Sequence, residues 1–252
     1  MYTSYYLQVL KGELGLSLPD GMLPYNCEPN HDYEENSCVG WKDKARVYID
    51  YNHTDHINCY HVAWVMEEDL LYPWDCYDLG EDTHWYGGVL PVKDDFHNLH
   101  YEMQPFLTST PNNPTGFGPV IEPSWLTTKS VALYVDGESP LHISVNKMDK
   151  NNKTDGKLCF LSRYVESPYH NPQNQKPWLN YTICTAPNIL DMHKYMLSRF
   201  SNANPVPTTP KFGQVLYSTW PQFKQNIDQK TVIDYVDTLV ENQMAKGKED
   251  TK

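Results

Sequence analysis

Residues 131–145 read VALYVDGESPLHISV, two β-prone runs joined by a turn sequence. Val131–Asp136 and Leu141–Val145 are rich in β-branched and other apolar residues, and Gly137–Pro140 between them is typical of a turn. Gly137 is the expected turn residue, because glycine tolerates backbone angles that other residues avoid. The spacing therefore predicts a β-hairpin.

Four more β-prone runs continue this pattern through the first two-thirds of the chain. They are Arg46–Tyr51, Cys59–Val65, Leu158–Tyr164 and Leu179–Thr185. Stretches rich in Asn, Gly and Pro separate many of the runs, as at residues 111–116 and 151–156. Many short strands with such punctuation predict a mainly β fold, an antiparallel sandwich or barrel.

The character of the sequence changes after this β-rich part. Ile189–Phe200 has helical spacing, and Ser201–Pro210, with three prolines in ten residues, is typical of a linker. Val215–Trp220 is a candidate strand, and Asp228 is the candidate N-cap of a following helix. One face of this helix carries Val232, Val236, Leu239 and Val240.

A strand followed by an amphipathic helix is how an α/β unit begins, but one such pair cannot close a sheet. We therefore expect a first domain over residues 1–205 and the truncated start of a second over 206–252.

Composition and charge exclude several classes of function. The 252 residues include 20 Lys and Arg and 32 Asp and Glu, a formal net charge of −12 that disfavours nucleic-acid binding. No run approaches the roughly 18 apolar residues of a membrane span. Met1–Gly21 is a mixed segment that resembles neither a signal peptide nor an anchor.

The sequence contains six cysteines, and we expect disulfide bridges among them. None belongs to a C-x-x-C pair, and an even number is compatible with disulfides, although six cysteines allow 15 pairings. Four of them lie within the first 76 residues, which favours at least one local bridge. The alternative is that some are small buried apolar residues.

Three sequons for N-linked glycosylation start at Asn52, Asn152 and Asn180, whereas Asn113 precedes proline and is excluded. Roughly two are expected by chance from this composition. The sequons are therefore compatible with a secretory or extracellular location without establishing it.

A dense cluster of possible metal ligands occurs at His53, His56, Cys59 and His61. Imidazole and thiolate are the usual zinc ligands, but this spacing matches no standard zinc site. We favour structural histidines over a metal site.

Residues 75–88, DCYDLGEDTHWYGG, combine carboxylates, an imidazole and two large aromatic rings beside a Gly-Gly pair. Aromatic faces bind the apolar faces of sugars, and carboxylates accept hydrogen bonds from sugar hydroxyls. The alternative is a loop in which Trp85 fills the core while the acids face solvent.

Paired carboxylates can perform glycoside hydrolysis, and the candidates are Asp75, Asp78, Glu81 and Asp82. Their crowding favours a hydrogen-bonding loop over a catalytic pair, because such a pair must flank the scissile bond. No motif for acyl transfer, metalloproteolysis or nucleotide binding occurs.

Trp220 ends the candidate strand before the C-terminal helix. In a (β/α) barrel the carboxyl ends of strands face the active site, so Trp220 is a candidate substrate-facing aromatic residue. A Trp in the core of an unpaired strand is the alternative.

Several motifs, in fixed order along nearly the whole chain, resemble the N-terminal region of glycoside hydrolase family 31, in its myogenesis-regulating glycosidase branch. They are DCYDLG (75–80), HWYGG (84–88), SWLTTKSVALYVD (124–136), SPL (139–141), LCF (158–160), LNYTICTA (179–186) and STW (218–220), with Lys224, Ile227, Gln229 and Val232.

The resemblance implies an antiparallel β-sandwich followed by the truncated first β/α unit of a (β/α)8 barrel. It also implies retaining hydrolysis of α-linked glycosides, without a cofactor, in the secretory pathway lumen or outside the cell, with a membrane anchor in full-length relatives. His84, Trp85 and Tyr86 would lie near the barrel mouth, and Trp220 would end the first barrel strand.

The family's nucleophile and acid/base are aspartates on later barrel strands, and no residue of this sequence matches them. We therefore expect the N-terminal portion of an α-glycosidase, inactive by itself. The alternative is a non-catalytic carbohydrate-binding or interaction protein descended from such an enzyme, which would keep Trp85 and Tyr86 as a stacking platform.

Overall fold

The structure is a computed structural model that describes residues 12–16, 23–28, 36–54, 56–68, 70–89, 99–109, 116–165, 168–171, 173–199 and 215–244. The chain divides into two compact units, Met1–Ser201 and Asn202–Lys252, which are described separately. The boundary predicted between residues 205 and 206 and the linker Ser201–Pro210 lie outside the described residues.

The first unit is built from two antiparallel sheets. One sheet contains, in spatial order, β1 (Gly12–Leu16), β6 (Pro73–Asp78), β12 (Lys157–Ser162), β11 (Leu141–Val145) and β8 (Tyr101–Pro105). The other contains β2 (Tyr25–Asn26), β3 (Asn36–Trp41), β4 (Ala45–Thr54), β5 (Ile57–Met66), β13 (Trp178–Thr185), β10 (Val131–Val135), β9 (Ile121–Thr127) and β7 (Trp85–Val89).

Side chains from both sheets form one hydrophobic core. Phe160 on β12 packs 5.2 Å, centroid to centroid, from Trp125 on β9, and Tyr77 on β6 lies 6.0 Å from Tyr181 on β13. Each pair joins the two sheets, as the inner faces of a sandwich do. The predicted antiparallel β-sandwich is confirmed.

The four isolated runs predicted as strands correspond to β4, β5, β12 and β13, but the predicted hairpin is wrong. β10 lies in the eight-stranded sheet and β11 in the five-stranded sheet, so Gly137–Pro140 carries the chain from one sheet to the other. Leu133 and Ile143 both enter the shared core. The same alternation of apolar residues thus serves two facing sheets instead of one hairpin.

A buried carboxylate ties the two sheets together. Asp75 on β6 is completely buried, and its Oδ2 accepts hydrogen bonds of 2.7 Å from both Trp64 Nε1 on β5 and the Tyr181 hydroxyl on β13. Its Oδ1 accepts a 3.0 Å bond from the backbone N–H of Gly15 on β1. This one side chain therefore connects its own sheet to two strands of the opposite sheet.

All six cysteines form disulfides, Cys27–Cys38, Cys59–Cys184 and Cys76–Cys159. The first is the predicted local bridge. The other two join residues directly opposite each other on paired strands and close sequence separations of 125 and 83 residues. Bridges over such long loops restrict the unfolded chain strongly and are typical of secreted or lumenal proteins.

The first predicted helix is confirmed as α1 (Ile189–Arg199). Met192 is its buried residue, and it packs with Ala132 of β10 and Cys184 of β13. Ala132 and Cys184 alternate with residues that face the core, so α1 covers part of the outer face of the eight-stranded sheet.

The second unit contains α2 (Trp220–Phe223) and α3 (Gln229–Glu241) within its described residues, 215–244. Asp228 is the N-cap of α3, as predicted, because its Oδ1 accepts a 2.7 Å bond from the backbone N–H of Thr231. No described helix of the chain is long and apolar enough to cross a membrane.

The strand predicted at Val215–Trp220 is wrong. Residues 215–218 have no regular structure, and Trp220 begins α2 instead of ending a strand. Pro221 suits the first turn of a helix, because its ring fixes φ and the missing N–H needs no partner there. A strand also needs a neighbour to satisfy its backbone polar groups, and residues 215–244 contain none.

The Gly87-Gly88 pair lets edge strand β7 approach β9 closely. The register of the two strands shifts between these glycines, and both have positive φ, 104° and 73°. A Cβ on Gly87 would clash with the carbonyl oxygen of Ser124, and one on Gly88 would clash with the Trp125 indole. Both the backbone conformation and the packing therefore require glycine.

We expect Gly88→Ala to lower the free energy of unfolding by about 2–4 kcal/mol, because the new methyl group must displace a buried indole. Urea denaturation followed by tryptophan fluorescence measures the change. Gly137→Ala is the matched control and should change stability by less than about 0.5 kcal/mol, since nothing lies within 4 Å of the added Cβ. Equal effects of the two substitutions would contradict this account.

Candidate functional site

The sequence suggested that the carboxylate- and aromatic-rich stretch from residue 75 to 88 is a single loop. The structure shows that it is not. Asp75 and Asp78 lie on β6, whereas Trp85–Gly88 belong to β7, so only residues 79–84 form a connecting turn. Alternation along the two strands sends neighbouring side chains into opposite environments.

Trp85 is a core residue that holds this turn in place. Its side chain is 3% exposed, and its indole N–H donates a 2.8 Å hydrogen bond to the carbonyl oxygen of Leu79. The ring offers no open face to a sugar. The predicted stacking role therefore does not fit Trp85, and the alternative interpretation, a Trp that fills the core, does.

His84 and Tyr86, on either side of Trp85, are exposed. Tyr86 is 51% exposed on β7, an edge strand. The backbone of His84 is fixed, because its N–H donates to Thr128 Oγ1 at 3.1 Å and its carbonyl accepts from the N–H of Thr128 at 3.0 Å. Both predicted residues are thus exposed at the surface of the sandwich.

A cleft of about 380 Å³ lies between this turn and the segments that follow β11 and precede β12. Glu81, Thr83 and His84 supply its polar side chains from the turn. Its remaining lining residues are Leu79, Gly80, Trp85, Leu99, Val145, Asn146 and Gly156. An apolar floor with a few polar groups is the usual composition of a small-molecule site.

Leu99, Val145, Asn146 and Gly156 were not predicted as site residues. They come from three chain segments that the sandwich brings to the turn, and a 2.8 Å bond from the Leu79 N–H to the Gly156 carbonyl joins two walls of the cleft. The only signal in the sequence was the turn-rich composition around Gly156. Their convergence follows from the sheet topology, which local patterns do not encode.

The four candidate carboxylates do not form a catalytic pair. Asp75 is enclosed in the core with both oxygens hydrogen-bonded, whereas Asp78, Glu81 and Asp82 are exposed. Burial raises the pKa of Asp75 to about 7, and the bonds from Tyr181, Trp64 and Gly15 oppose this shift. A raised carboxyl pKa often marks a general acid, but this carboxyl cannot reach a substrate.

In the histidine cluster, two of the three imidazoles have hydrogen-bonding neighbours and the cysteine is oxidised. Cys59 is bonded to Cys184 and therefore supplies no thiolate ligand. His61 Nδ1 lies 3.1 Å from Thr182 Oγ1, and His53 Nδ1 lies 2.9 Å from Asn58 Oδ1. In the part of the chain that the structure describes, no three His, Cys, Asp or Glu residues are grouped to hold a metal ion.

Trp220 belongs to the second unit and is 64% exposed at the start of α2. Its backbone N–H donates a 3.2 Å bond to Ser218 Oγ. The ring is available to a ligand, although it does not stand at a strand end as the sequence suggested.

The three sequons occupy different settings. Asn52 lies near the end of β4 and Asn152 in a turn with φ of 60°, and both are exposed. Asn180 lies in the interior of β13 and is partly exposed. Glycosylation at these positions stays a prediction.

The first unit is thus an antiparallel β-sandwich with a cleft of mixed polar and apolar lining beside the turn at residues 79–84. No family model matches the chain. It is 27% identical over 196 residues to the myogenesis-regulating glycosidase of Mus musculus, an alignment that covers 73% of this chain and 26% of that protein. It is 28% identical over 166 residues to the SITS-binding protein of Tetronarce californica, covering 62% and 21% of the two chains.

These similarities confirm the resemblance found in the sequence, and the chain is a distant relative of the myogenesis-regulating glycosidase group. The aligned regions span about a quarter and a fifth of the two relatives. A glycosidase-related role is therefore supported. The alignments do not assign the activity of the whole relatives to this chain.

We expect the free energy of unfolding to depend on pH through Asp75. Its pKa is about 7 in the folded chain and 3.8 for an unperturbed group, so between these values the folded state binds more protons than the unfolded state. Stability from this group is present below pH 4 and lost as the pH rises to 7, by at most about 1.4 kcal/mol per pH unit.

Asp75→Asn cannot titrate, so the stability of the natural chain relative to this variant should fall from pH 4 to pH 7. Urea denaturation at several pH values measures the difference. Asp78→Asn, at an exposed position of the same strand, is the control for replacing a carboxylate that is not buried. A difference that is constant or rises with pH would show that Asp75 is ionised throughout.

Proposed function

We propose that this chain forms the N-terminal β-sandwich of an α-glycosidase-type protein and contributes to the recognition of an α-linked glycan. The similarity to a protein named a glycosidase, extending over 73% of this chain, is the observation that carries the proposal. The cleft beside His84 supports it, because it offers polar groups on a rigid frame.

In this proposal the turn at residues 79–84 supplies the hydrogen-bonding groups. The Glu81 carboxylate accepts from sugar hydroxyls, the Thr83 hydroxyl donates or accepts, and the His84 imidazole does either according to its tautomer. Tyr86 offers an exposed ring for stacking on the apolar face of a sugar. Trp85 acts as a positioning residue, since its indole N–H fixes Leu79 at the start of the turn.

Hydrolysis by this sequence alone is not part of the proposal. The family resemblance implies two aspartates on later barrel strands, and no residue here matches them. Asp75, whose pKa burial raises to about 7, is hydrogen-bonded to Trp64 and Tyr181 inside the core. We therefore propose that the sandwich shapes a glycan site without supplying the nucleophile or the acid/base, and that no cofactor takes part.

In the same proposal, residues 206–252 are the beginning of the catalytic (β/α)8 barrel. The exposed apolar side chains of α3 support this assignment, since Val232, Val236 and Val240 are each more than a third exposed and repeat at helical spacing. Such a stripe is normally covered by a packing partner, which further strands and helices of a barrel would supply.

A non-catalytic carbohydrate-binding protein is the second candidate. One observation favours it: among the described residues that line the cleft, Glu81 is the only carboxylate, so the cleft holds no carboxylate pair. In either case we propose a location in the secretory pathway lumen or outside the cell, which the three disulfides support.

The experiment is calorimetric titration of the full chain with α-linked gluco- and galacto-oligosaccharides. We expect His84→Ala and Tyr86→Ala each to weaken binding at least tenfold, about 1.4 kcal/mol, by removing a hydrogen-bonding group and a stacking ring. Tyr25→Ala is the matched control, because Tyr25 is also exposed but lies on β2 at the opposite edge of the same sheet.

Equal affinities for all four proteins would contradict the assignment of the glycan site. The same samples are assayed for release of nitrophenol from nitrophenyl α-glycosides, where no hydrolysis is expected. Hydrolysis that persists in repeatedly purified protein would contradict the proposal that this chain lacks the nucleophile and the acid/base.

A further inference from the structure

A patch of aromatic and cationic side chains, the Trp74 patch, lies on the outer face of the five-stranded sheet and consists of Tyr72, Trp74 and Arg163. Trp74 stands on β6 between Pro73 and Asp75, which are both buried, so alternation along the strand turns its ring outward. Trp74 is 48% exposed, and Arg163 is exposed as well. An indole and a guanidinium are therefore both accessible from solvent on this face.

The register of β6 and β12 brings the three side chains together. Trp74 pairs with Leu161, and the same antiparallel register continued by two residues places Tyr72 opposite Arg163. The observed contact agrees with this placement, because the Arg163 guanidinium carbon lies 5.9 Å from the centroid of the Tyr72 ring. Stacking on an aromatic ring orients a guanidinium and leaves the N–H groups at its edge able to donate.

The two positions paired with Trp74 carry no polar side chain. On β1 the partner is Gly15, which has no side chain at all, and on β12 the partner is Leu161, which is buried. Nothing at these positions competes for the ring face by hydrogen bonding. A half-exposed indole beside a glycine offers a surface on which the apolar face of a sugar ring can stack.

Arg163 differs from the other cations of this sheet in its lack of a carboxylate partner. Lys157 on β12 is paired with Glu13 at 3.1 Å, and Lys147 after β11 is paired with Glu102 at 3.0 Å. Within the described ranges, no carboxylate lies within ion-pair distance of the Arg163 guanidinium. In a chain of net charge −12, a cation that is not neutralised by a neighbour suits an anionic ligand.

We propose that the Trp74 patch is a second sugar-binding site, which takes an acidic sugar, a uronate. The apolar face of the sugar ring stacks on the Trp74 indole, and its carboxylate accepts two hydrogen bonds from the Arg163 guanidinium. Tyr72 acts as a positioning residue, because its ring holds the guanidinium from below.

The spacing of the patch fits this ligand. Trp74 and Arg163 are diagonal neighbours on adjacent strands, a relation in which Cβ atoms are usually about 7–8 Å apart. The carboxylate of a uronate projects from the edge of its ring, so a ring centred on the indole directs the carboxylate towards the neighbouring strand. Guanidinium and carboxylate then meet as a planar bidentate pair, the strongest of the usual charge-assisted arrangements.

The size of the patch favours a sugar over a protein partner. Three side chains on two strands match one or two sugar rings, whereas a stable protein–protein interface buries about 800 Å² on each partner. Tryptophan, tyrosine and arginine also occur in protein interfaces, so an acidic peptide is included in the test as the competing ligand.

The Trp74 patch is separate from the cleft beside His84. Trp74 lies near the start of β6 and Leu79 follows the end of this strand, five residues or roughly 17 Å farther along the extended backbone. Among the described residues that line the cleft, the one carboxylate is Glu81, which disfavours an anion there. The inference therefore goes beyond the proposed function and does not depend on the cleft.

The test is a titration of the full chain, labelled with heavy nitrogen, followed by the indole N–H signals of its seven tryptophans. Trp74→Phe identifies the Trp74 signal by its loss. The probes are α-linked tetragalacturonate and its methyl ester, which has the same rings without the charge. We expect the acid to shift the Trp74 signal, with an affinity at least tenfold higher than that of the ester.

Arg163→Gln should weaken binding of the acid at least tenfold and leave binding of the ester unchanged. Arg163→Lys should be intermediate, because it keeps the charge and loses the planar fork. Arg199→Gln is the matched control, since Arg199 is also exposed and stacks on a tyrosine, 5.0 Å from the centroid of the Tyr134 ring on the other sheet. The control should bind the acid as the natural chain does.

Trp74→Ala removes the reporter signal and is therefore measured by calorimetry, where we expect at least tenfold weaker binding of the acid. Near-UV circular dichroism confirms that the variants are folded. If Trp74→Ala unfolds, the Arg163 series decides the question, because an exposed side chain can be replaced without opening the core.

Four outcomes would overturn the proposal. They are equal affinities for acid and ester, a Trp74 signal that does not move when the acid is saturating, equally tight binding of a tetraglutamate peptide, and a loss of acid binding in His84→Ala that matches the loss in Arg163→Gln. None of them bears on the binding of neutral α-linked glycans through His84 and Tyr86, so the two proposals fail separately.

Discussion

The sandwich depends on the Asp75 carboxylate, which accepts hydrogen bonds from Trp64 and Tyr181 of the opposite sheet and from Gly15 of its own. A carboxylate in an apolar core is costly unless its oxygens are satisfied, so the two sheets can close only in a register that delivers these donors. The Tyr77 hydroxyl extends the network to Tyr181 at 2.6 Å. Burial near Asp75 raises the pKa of both tyrosines, which keeps them neutral as donors.

Local patterns were sufficient to predict β4, β5, β12 and β13, because alternating apolar residues indicate a half-buried strand whichever neighbour it pairs with. They were also sufficient for the Asp228 cap, which is an interaction over three residues. They could not decide between a hairpin and a sheet-to-sheet crossing at Gly137–Pro140, because Leu133 and Ile143 face the core in either arrangement. β6 lacks the apolar alternation of a half-buried strand, because its inward position 75 carries a carboxylate.

The candidate site was predictable to the extent that it lies on one continuous segment. His84 and Tyr86 are exposed and Trp85 is buried, because successive side chains of a strand point to opposite faces. If the register moved by one residue, the exposed and buried positions would be exchanged. The composition of this segment indicates that Trp85 and Tyr86 form an aromatic pair, but it does not show which of the two rings faces the core. Leu99 and Val145 join the cleft only through the fold, so no local signal could have placed them there.

Asp75 also shows why a shifted pKa and a glycosidase-like sequence do not by themselves locate chemistry. A general acid must exchange its proton with a substrate, and a carboxyl enclosed by Trp64 and Tyr181 can change protonation only as part of the stability of the sandwich. Groups that meet a glycan must instead lie on a surface that the core leaves open. In this sandwich the turn ending at His84 lies on such a surface, and it is positioned by strands whose inward side chains belong to the Asp75 core.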